Sequence, residues 1–465
     1  MTPVKLPLPP TSREHWCRNP PPVKLLRQRT VRVVDVSLYR QEGLLERSSS
    51  TANNGGAWRT TAIIFFGAAC ARLAVILLRP YVTTTPSELQ RIAATFAHEG
   101  FLGNPYPLAT GPTAHVAPGY ALILGFLIRL LGSDAAGFRA GRILMALISA
   151  AVLALVPASA RALGLPRRAG MATAIALAVP LFVWIETSGE WETPINALAL
   201  ELALIASIPT LKAGSFSVVR GLRQGMVWGV SLLFTPTIAA VYVAIHLIAA
   251  IRWRERLGSF FLYVVVSTAT VVVIVAPYLA RIERDLHGFA FIRDNLGLEL
   301  AVSNNDSAMP AQNENLRRNA GMRTHPYTNR TETEKVRDLG ELAYNKTRGD
   351  EAMRWIREHP SRFTTLTLQR IALFWIPECR WYQRILFVFA IMGAIGYVAQ
   401  RFRDDTYHII LLAAIPASYS GIYSLIQADA RYSYPILWFL LLLASEFSIS
   451  VVGRFRPRHE THAPG

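Results

Sequence analysis

Three groups of charged residues in this 465-residue chain could carry chemistry, and each lies beside a long apolar segment. Glu88 follows the first such segment, Glu186, Glu190 and Glu192 follow an internal one, and Arg431 precedes the last. A carboxylate can take a proton from a hydroxyl group, and a guanidinium binds anions such as phosphate through paired hydrogen bonds. These residue types therefore predict a site for an anionic substrate, provided that the elements around them bring them together.

Each group also has a purely structural explanation. An acid such as Glu88 is favourable in the first turn of a helix, and Glu192 precedes a helix start at Pro194. Arg431 stands next to Tyr432, and such tyrosines anchor helices at a membrane surface. The functional interpretation depends on whether the three groups lie on one side of the membrane.

The apolar segments identify an integral membrane protein. Hydrophobic residues make up 52% of the chain and charged residues only 17%, a balance that excludes a soluble α/β fold. A helix of about 20 apolar residues spans the hydrocarbon core. Such segments lie near 60–79, 143–162, 169–187, 194–211, 259–280, 380–400, 406–425 and 433–452. The predicted fold class is therefore an all-α polytopic membrane protein.

The net charge of +17 has a topological explanation. The basic residues cluster beside the ends of apolar segments, where positive charge marks the cytoplasmic side of a membrane, so no nucleic-acid partner is expected. These clusters lie at 161–168, 212–223, 252–256, 401–403 and 454–458. We predict a multi-pass protein of the inner (plasma) membrane with both termini in the cytoplasm.

The same charges set the number of crossings. The basic segments that join neighbouring helices, here called basic joints, include 212–224 and 252–258, and both belong in the cytoplasm. The segment 225–251 between them must therefore cross the membrane an even number of times. A break near Thr235-Pro236-Thr237 would allow this. About ten transmembrane helices result. Two further apolar stretches are then expected not to span the membrane, 117–132 and 364–377.

Domain boundaries follow from this count. The predicted parts are a disordered basic cytoplasmic tail (1–57), an N-terminal transmembrane module (58–280) with a first outer loop (80–141), a small extracytoplasmic loop domain (281–363), C-terminal transmembrane helices (364–452) and a cytoplasmic tail (453–465). In this arrangement Glu88, the 186–192 turn and Arg431 all face the outer side.

Several motifs carry a family resemblance. The order Glu88-x-x-Arg91-Ile-Ala, His98-Glu-Gly-Phe and Thr110-Gly-Pro-Thr-Ala…Ala-Pro-Gly-Tyr resembles the first outer loop of bacterial C-type (GT-C) membrane glycosyltransferases. These enzymes are relatives of protein O-mannosyltransferases and lipid A aminoarabinose transferases. Later segments resemble the same group: 293–300, 304–305, 325–326, 339–344 and 355–360. The resemblance covers roughly residues 60–452 and implies a GT-C type helical bundle.

The resemblance implies a reaction. A sugar would pass, with inversion and without a nucleotide sugar, from a polyprenyl-phosphate donor to a glycan, lipid or protein acceptor at the outer face. The first-loop acid of the family corresponds to Glu88, which would act as the general base. Its preceding position is Ser87, so the Asp-Glu pair of the better-known members is absent. A second-loop acid corresponds to Glu186, Glu190 or Glu192, and the spacing does not choose among them.

Other residues would support this chemistry. Arg431, with Arg281 or Arg284, would bind the donor phosphate, because a leaving phosphate needs charge stabilisation rather than a proton. First-loop support would come from Arg91, His115, Pro118 and Tyr120. A divalent cation is the one cofactor that could assist the reaction, and His115 and the acids would be its ligands. The sequence has no recognisable metal spacing.

The alternative function is a transporter or flippase of lipid-linked glycans. Transport pathways place ionisable residues near the middle of the membrane. The predicted spans are almost free of them apart from Glu201, whereas the acids cluster at the outer ends. This distribution favours an enzyme acting in the lipid bilayer.

Overall fold

The fold is known from a computed structural model that describes residues 58–78, 85–214, 216–318 and 323–455. All regular elements in these ranges are helical, and the only β-pairing among them is two isolated bridges. The all-α class is confirmed. The predicted tail 1–57 and the residues after 455 lie outside the described part of the chain.

The α-helices of the described residues are α1 (Trp58–Leu78), α2 (Glu88–Glu99), α3 (Pro118–Leu131), α4 (Asp134–Ala162), α5 (Arg167–Ala176), α6 (Val183–Thr187), α7 (Thr193–Ala213), α8 (Val218–Leu232), α9 (Ala239–Arg252), α10 (Leu257–Leu286), α11 (Leu296–Ser303), α12 (Gln312–Arg317), α13 (Arg330–Leu339), α14 (Glu341–Glu358), α15 (Pro360–Trp375), α16 (Trp381–Arg401), α17 (Thr406–Gly421) and α18 (Ala430–Phe455). Short 3₁₀ turns join some of them.

Six helical segments of the described chain are long and apolar enough to cross a membrane. They are Trp58–Leu78, Asp134–Ala162, Thr193–Ala213, Arg254–Leu286, Trp381–Arg401 and Ala430–Arg454. The chain is therefore a multi-pass helical membrane protein. The predicted number of about ten spans is not confirmed.

Helix breaks explain most of the difference in span number. The apolar stretch 169–187 does not form one helix, because α5 ends at Ala176 and Pro180 intervenes before α6. The stretch 225–251 breaks near Thr235 and Pro236, as predicted, which leaves helices α8 and α9 of 15 and 14 residues. Helix α17 has 16 residues. Each of these helices is shorter than a full crossing requires.

Glycine spacing brings helices α8 and α10 into close contact. Gly221, Gly225 and Gly229 recur every four residues on one face of α8 and pack against α10. A methyl group at Gly225 would lie 2.4 Å from the Ser267 carbonyl oxygen, closer than atoms can approach. Small residues at this interval allow two helices to approach closely inside a membrane.

Helix α18 lies at the centre of the bundle. Its residues from Ile436 to Ala444 are all buried, and it contacts α16, α5 and α7. Apolar side chains that are buried on every side of a helix mark it as a core element. Because Arg431 lies in the first turn of α18, the core packing of this helix also fixes the position of the arginine.

The basic joints of the chain meet at one end of the bundle, which we call the basic end (residues 161–168, 212–214, 252–256 and 401–407). Lys212 Nζ donates to the Leu163 carbonyl (3.4 Å), and Trp253 Nε1 donates to the Leu211 carbonyl (2.6 Å). The Arg252 guanidinium lies 5.6 Å from the centre of the Tyr407 ring. Joints that were predicted to share one side of the membrane are thus neighbours. The identity of that side stays a prediction.

Candidate functional site

The start of α2 is fixed by its own side chains. The Ser87 hydroxyl accepts from the Gln90 backbone N–H (3.3 Å), and the Gln90 side-chain oxygen accepts from the Ser87 N–H (3.0 Å), which is a reciprocal capping box. The helix ends at Gly100, whose φ of +86° suits glycine. Leu89 and Ile92 are buried against α3. Glu88 is thereby held in the first turn of the helix.

Glu88 has two oxygens in different surroundings. His115 Nε2 lies 3.3 Å from Oε2, and the other ring nitrogen of His115 lies 3.2 Å from the Tyr106 hydroxyl. His325 Nε2 lies 3.8 Å from Oε1, which is too long for a hydrogen bond. Oε1 is buried without a hydrogen-bond partner among the described residues. One carboxylate oxygen is therefore anchored, and the other is available to a ligand.

The histidines keep Glu88 ionised. Burial raises the pKa of the Glu88 carboxyl, but the charges of His115 and His325 outweigh this effect and lower the pKa to about 2. Burial lowers the pKa of His115, yet its contact with Glu88 outweighs that effect and raises the pKa above its ordinary value. The pairing therefore favours the ionised form of the carboxyl and the protonated form of the imidazole.

Residues of the 281–363 loop hold the first outer loop around Glu88. Glu341 accepts from the Ala114 backbone N–H (2.7 Å) and from the Thr113 hydroxyl. Arg293 Nε donates to the His115 carbonyl (2.9 Å), and the Tyr327 hydroxyl donates to the Pro86 carbonyl (2.9 Å). Burial raises the pKa of Glu341 to about 7. The two predicted outer segments therefore form one packed unit.

The three acids of the 186–192 turn have different environments. Glu186 is buried, pairs with Arg72 at 3.1 Å and accepts from the Tyr434 hydroxyl at 2.9 Å. Glu190 is buried, and its carbonyl accepts from the Ser87 hydroxyl at 3.3 Å. Glu192 Oε2 is buried and has no hydrogen-bond partner in the described part of the chain. Among the three, the environment of Glu186 is that of a structural ion pair.

A large cavity connects the candidate residues. Its volume is about 1300 Å³, above the range of about 300–1000 Å³ that is usual for ligand pockets. The ionisable residues on its wall include Glu88, Glu190, Glu192, Arg293, His325 and Arg431. Aromatic residues such as Trp184, Trp191 and Tyr423 contribute much of the remaining wall. The cavity thus brings together Glu88, Arg431 and two of the three second-loop acids.

Arg431 is held in place on the cavity wall. Its Nε donates to Asp429 Oδ1 (3.1 Å), and Nη2 donates to the Gln312 side-chain oxygen (2.8 Å). The guanidinium lies 4.3 Å from the centre of the Trp191 ring, within the range of a cation–π contact. Only 10% of the side chain is exposed. An arginine fixed in this way is pre-organised for an anion.

The other two predicted phosphate ligands lie elsewhere. Arg281 donates to the carbonyls of Thr113 and Leu102 (both 2.6 Å) and pairs with Asp285. Arg284 also pairs with Asp285, and its side chain is 76% exposed. Neither arginine lines the cavity. Phosphate binding by these two residues stays a prediction, and their positions instead favour a structural role.

The four residues that were predicted to support the first loop lie in α2, in α3 or just before α3. His115 is the ion-pair partner of Glu88. Pro118 begins α3, and the buried Tyr120 donates its hydroxyl to the Gly189 carbonyl (2.8 Å), which ties the first loop to the 186–192 turn. Arg91 is half-buried in α2 and lies beside the Tyr327 hydroxyl. His115 is the only one of these four in direct contact with the Glu88 carboxylate.

Sequence reasoning did not assign roles to several residues of this site. Arg293, His325 and Glu341 lie in segments that carry the family resemblance, and this was the available signal. Tyr106 lies in an Asn-Pro-Tyr motif of the first-loop segment that carries the same resemblance, but it was given no role. Asn196 had no signal, because it is a single polar residue whose importance depends on contacts made through the fold. Asn196 Oδ1 is buried without a partner among the described residues, on the cavity wall.

The described residues do not fit a divalent cation. No group of three or more His, Cys, Asp or Glu side chains within them has the geometry to hold one. The acid beside two histidines, Glu88, already has one carboxylate oxygen engaged by the His115 ring at 3.3 Å. No chemical step below is therefore derived through a cation.

Fold and site together define a multi-pass helical membrane protein with a large polar and aromatic cavity. This fold is similar to the crystal structure of the Archaeoglobus fulgidus oligosaccharyltransferase tethered with an acceptor peptide containing the NVT sequon via a disulfide bond. The TM-score is 0.51 at 14% sequence identity, and the match covers 85% of this chain and 50% of that chain. The chain thus spans about half the length of the oligosaccharyltransferase. No protein-family model and no curated protein matches the sequence.

The similarity confirms the predicted resemblance in part. At this low identity it shows a fold like that of the oligosaccharyltransferase, and nothing about the activity, the sugar or the acceptor. It assigns no role to any residue of this chain.

Proposed function

We propose that this protein is a membrane glycosyltransferase that moves a sugar, with inversion, from a polyprenyl-phosphate donor to an acceptor at the outer face of the membrane. Glu88 acts as the general base, and Arg431 binds the donor phosphate. The observation that carries the proposal is the cavity of about 1300 Å³, on whose wall both residues lie. The oligosaccharyltransferase-like fold supports the same class of activity.

The state of Glu88 suits a base that acts late in the reaction. A carboxylate with a pKa of about 2 is a weak base toward an ordinary alcohol. In an oxocarbenium-like transition state, however, the acceptor hydroxyl becomes strongly acidic as its oxygen bonds to the anomeric carbon. Glu88 Oε1 then takes the proton while His115 holds Oε2 in place. The low pKa ensures that the base is ionised in every turnover.

The donor side requires charge stabilisation and no acid. When the bond between the anomeric carbon and the phosphate oxygen breaks, the phosphate keeps the electron pair and leaves as a stable anion. A fixed guanidinium stabilises this charge through hydrogen bonds that need no reorganisation. Arg431 keeps N–H groups available beside those bound to Asp429 and Gln312. The aromatic wall accommodates the apolar part of the donor next to the phosphate.

The proposal is tested by transfer from lipid donors. The purified full-length chain in lipid nanodiscs is incubated with a panel of polyprenyl phosphates, each carrying a different radiolabelled sugar, and with membrane extract as the source of acceptor. Label should move from the donor to an acceptor and leave unlabelled polyprenyl phosphate behind. A flippase would instead move the intact donor across liposome membranes and form no product. Donor translocation without product, in liposomes that contain the protein, would refute the proposal.

A further inference from the structure

Helix α7 presents two unpartnered oxygen atoms to the cavity. Glu192 Oε2 and Asn196 Oδ1 are buried, line the cavity and have no hydrogen-bond partner among the described residues. The two positions are four residues apart at the start of α7, so their side chains lie on the same face of the helix. Buried acceptor oxygens cost free energy unless a donor reaches them. A ligand that fits this wall must therefore present neighbouring hydrogen-bond donors.

Glu192 shares the cavity wall with Glu88 and Arg431, the residues at the two ends of the proposed reaction. It is close enough to interact electrostatically with Arg431 and with Tyr120. Two residues earlier in the chain, the Glu190 carbonyl accepts from Ser87, the neighbour of Glu88. In an inverting transfer, the sugar lies between the attacking hydroxyl and the leaving phosphate. The wall between Glu88 and Arg431 is thus where the sugar ring belongs.

A cation is a poorer match to these oxygens than a set of hydroxyl groups. Carboxylate and amide oxygens do bind Mg²⁺ and Ca²⁺, but such sites need about six ligands. The Arg431 guanidinium is close enough to interact with Glu192, and it would repel a second positive charge. Sugar hydroxyls are neutral donors and meet no such repulsion.

We propose that Glu192 and Asn196 form the subsite that binds the hydroxyl groups of the transferred sugar and selects which sugar is accepted. The inference rests on the proposed function. The Glu192 carboxylate accepts from one or two hydroxyls, and the Asn196 amide fixes a neighbouring hydroxyl. A sugar with the opposite configuration at either carbon leaves a buried oxygen unpaired, which disfavours its transfer.

The test compares sugars that differ at one hydroxyl. Polyprenyl phosphates carrying epimeric hexoses are supplied to the full-length wild type, Glu192→Gln and Asn196→Leu, and kcat/KM is measured for each donor. For the preferred sugar, both variants should lose about 10- to 100-fold, the range expected for a lost hydrogen bond to a charged or buried group. The ratio between epimers should fall toward one. The affinity for sugar-free polyprenyl phosphate should not change.

The controls separate the two proposals. Glu283→Gln removes an exposed acid outside the cavity and should leave every kcat/KM unchanged. If wild type transfers sugar while both variants keep its rate and its preference, the subsite is wrong and the proposed function stands. If wild type transfers no sugar, the proposed function fails. If chelation abolishes wild-type transfer, added cation restores it, and Glu192→Gln slows all sugars equally, Glu192 is a cation ligand and the subsite is overturned.

Discussion

Glu88 combines an anchored oxygen with an available one, and this asymmetry makes its role testable. Glu88→Gln keeps the size of the side chain but cannot accept a proton at neutral pH. We expect normal membrane insertion and thermal stability, with transfer reduced by about 100-fold or more. Glu99→Gln, at the exposed end of the same helix, is the matched control and should stay active. If Glu88→Gln and wild type transfer sugar equally well, Glu88 is not the general base and serves only as a favourable charge at the start of α2.

His115 sets the pH range in which Glu88 works. With the pKa of Glu88 at about 2, transfer should persist at mildly acidic pH and fall only when the pH drops through the pKa of this group. His115→Gln removes the main charge that lowers this pKa, so the acidic limb of the pH–rate profile should move upward by about 1–3 pH units. The measurement is kcat/KM from pH 3 to 9, a range in which wild type should show no acidic limb and His115→Gln should show one. An unmoved limb would show that the imidazolium does not control the carboxylate.

Arg431 is expected to act on the donor and little on folding. Arg431→Ala removes the fixed guanidinium, and the loss of hydrogen bonds to a charged phosphate costs about 1.5–3 kcal/mol. The donor KM should therefore rise by about 10-fold or more. Arg431→Lys keeps the charge but not the planar fork, and should fall between wild type and Arg431→Ala. Arg330→Ala, at a side chain that is 79% exposed, serves as the control. If the donor KM of Arg431→Ala is unchanged, Arg431 does not bind the donor phosphate and belongs only to the anchoring of the helix at the membrane surface.

Which second-loop acid matters could not be read from the sequence. Glu186, Glu190 and Glu192 are spaced by two or four residues, and all three could face one turn. What separates Glu186 from the others is Arg72, a residue 114 positions away that neutralises it. Such long-range pairs depend on how helices pack. Glu88 and Arg431 were accessible to sequence reasoning because each lies directly beside an apolar segment.

At the scale of elements, the Arg72–Glu186 pair connects α1 to α6 inside the bundle. Both side chains are almost fully buried, and Arg72 also donates to the Ser149 hydroxyl (2.9 Å). Arg72→Met leaves an unpaired buried carboxylate and should lower the free energy of unfolding by about 3–5 kcal/mol. The double variant Arg72→Met/Glu186→Gln removes both charges and should recover much of this loss. The measurement is denaturant unfolding of the solubilised protein.

The stability of these two variants also tests whether Glu186 has a structural role. If Arg72→Met has wild-type stability but no transfer activity, the pair belongs to the reaction and not to the helix packing. A double variant no more stable than Arg72→Met would contradict the idea that the unpaired charge causes the loss.

Element boundaries show how far hydropathy alone can predict this fold. Composition predicted the long helices α1, α4, α7, α10, α16 and α18 because each is a continuous apolar run. It predicted about ten crossings, whereas six helical segments of the described residues are long and apolar enough for one, because an apolar run does not reveal where the backbone turns. Pro236 was used to predict the break within 225–251, whereas Pro180, at the turn between α5 and α6, was not used.

For the whole molecule, the basic end predicts the orientation in the membrane. Reporter fusions after residues 165, 218, 255 and 404 should read cytoplasmic, because positive joints are retained on that side. Fusions after residues 110 and 320 should read external, since they fall within the predicted outer segments 80–141 and 281–363. A cytoplasmic reading after residue 110 would place Glu88 on the wrong side of the membrane. An external reading after residue 218 or 255 would reverse the whole topology.

The volume of the cavity also bears on how the two substrates meet. A space of about 1300 Å³ exceeds what one small ligand fills, so a donor headgroup and an acceptor can occupy it together. In the proposed reaction the sugar would then pass directly between them in a ternary complex, and no carboxylate would have to carry it as a covalent ester. Initial-rate lines should intersect and not run parallel as they would in a ping-pong reaction. Inversion at the anomeric carbon is the stereochemical result of this single displacement.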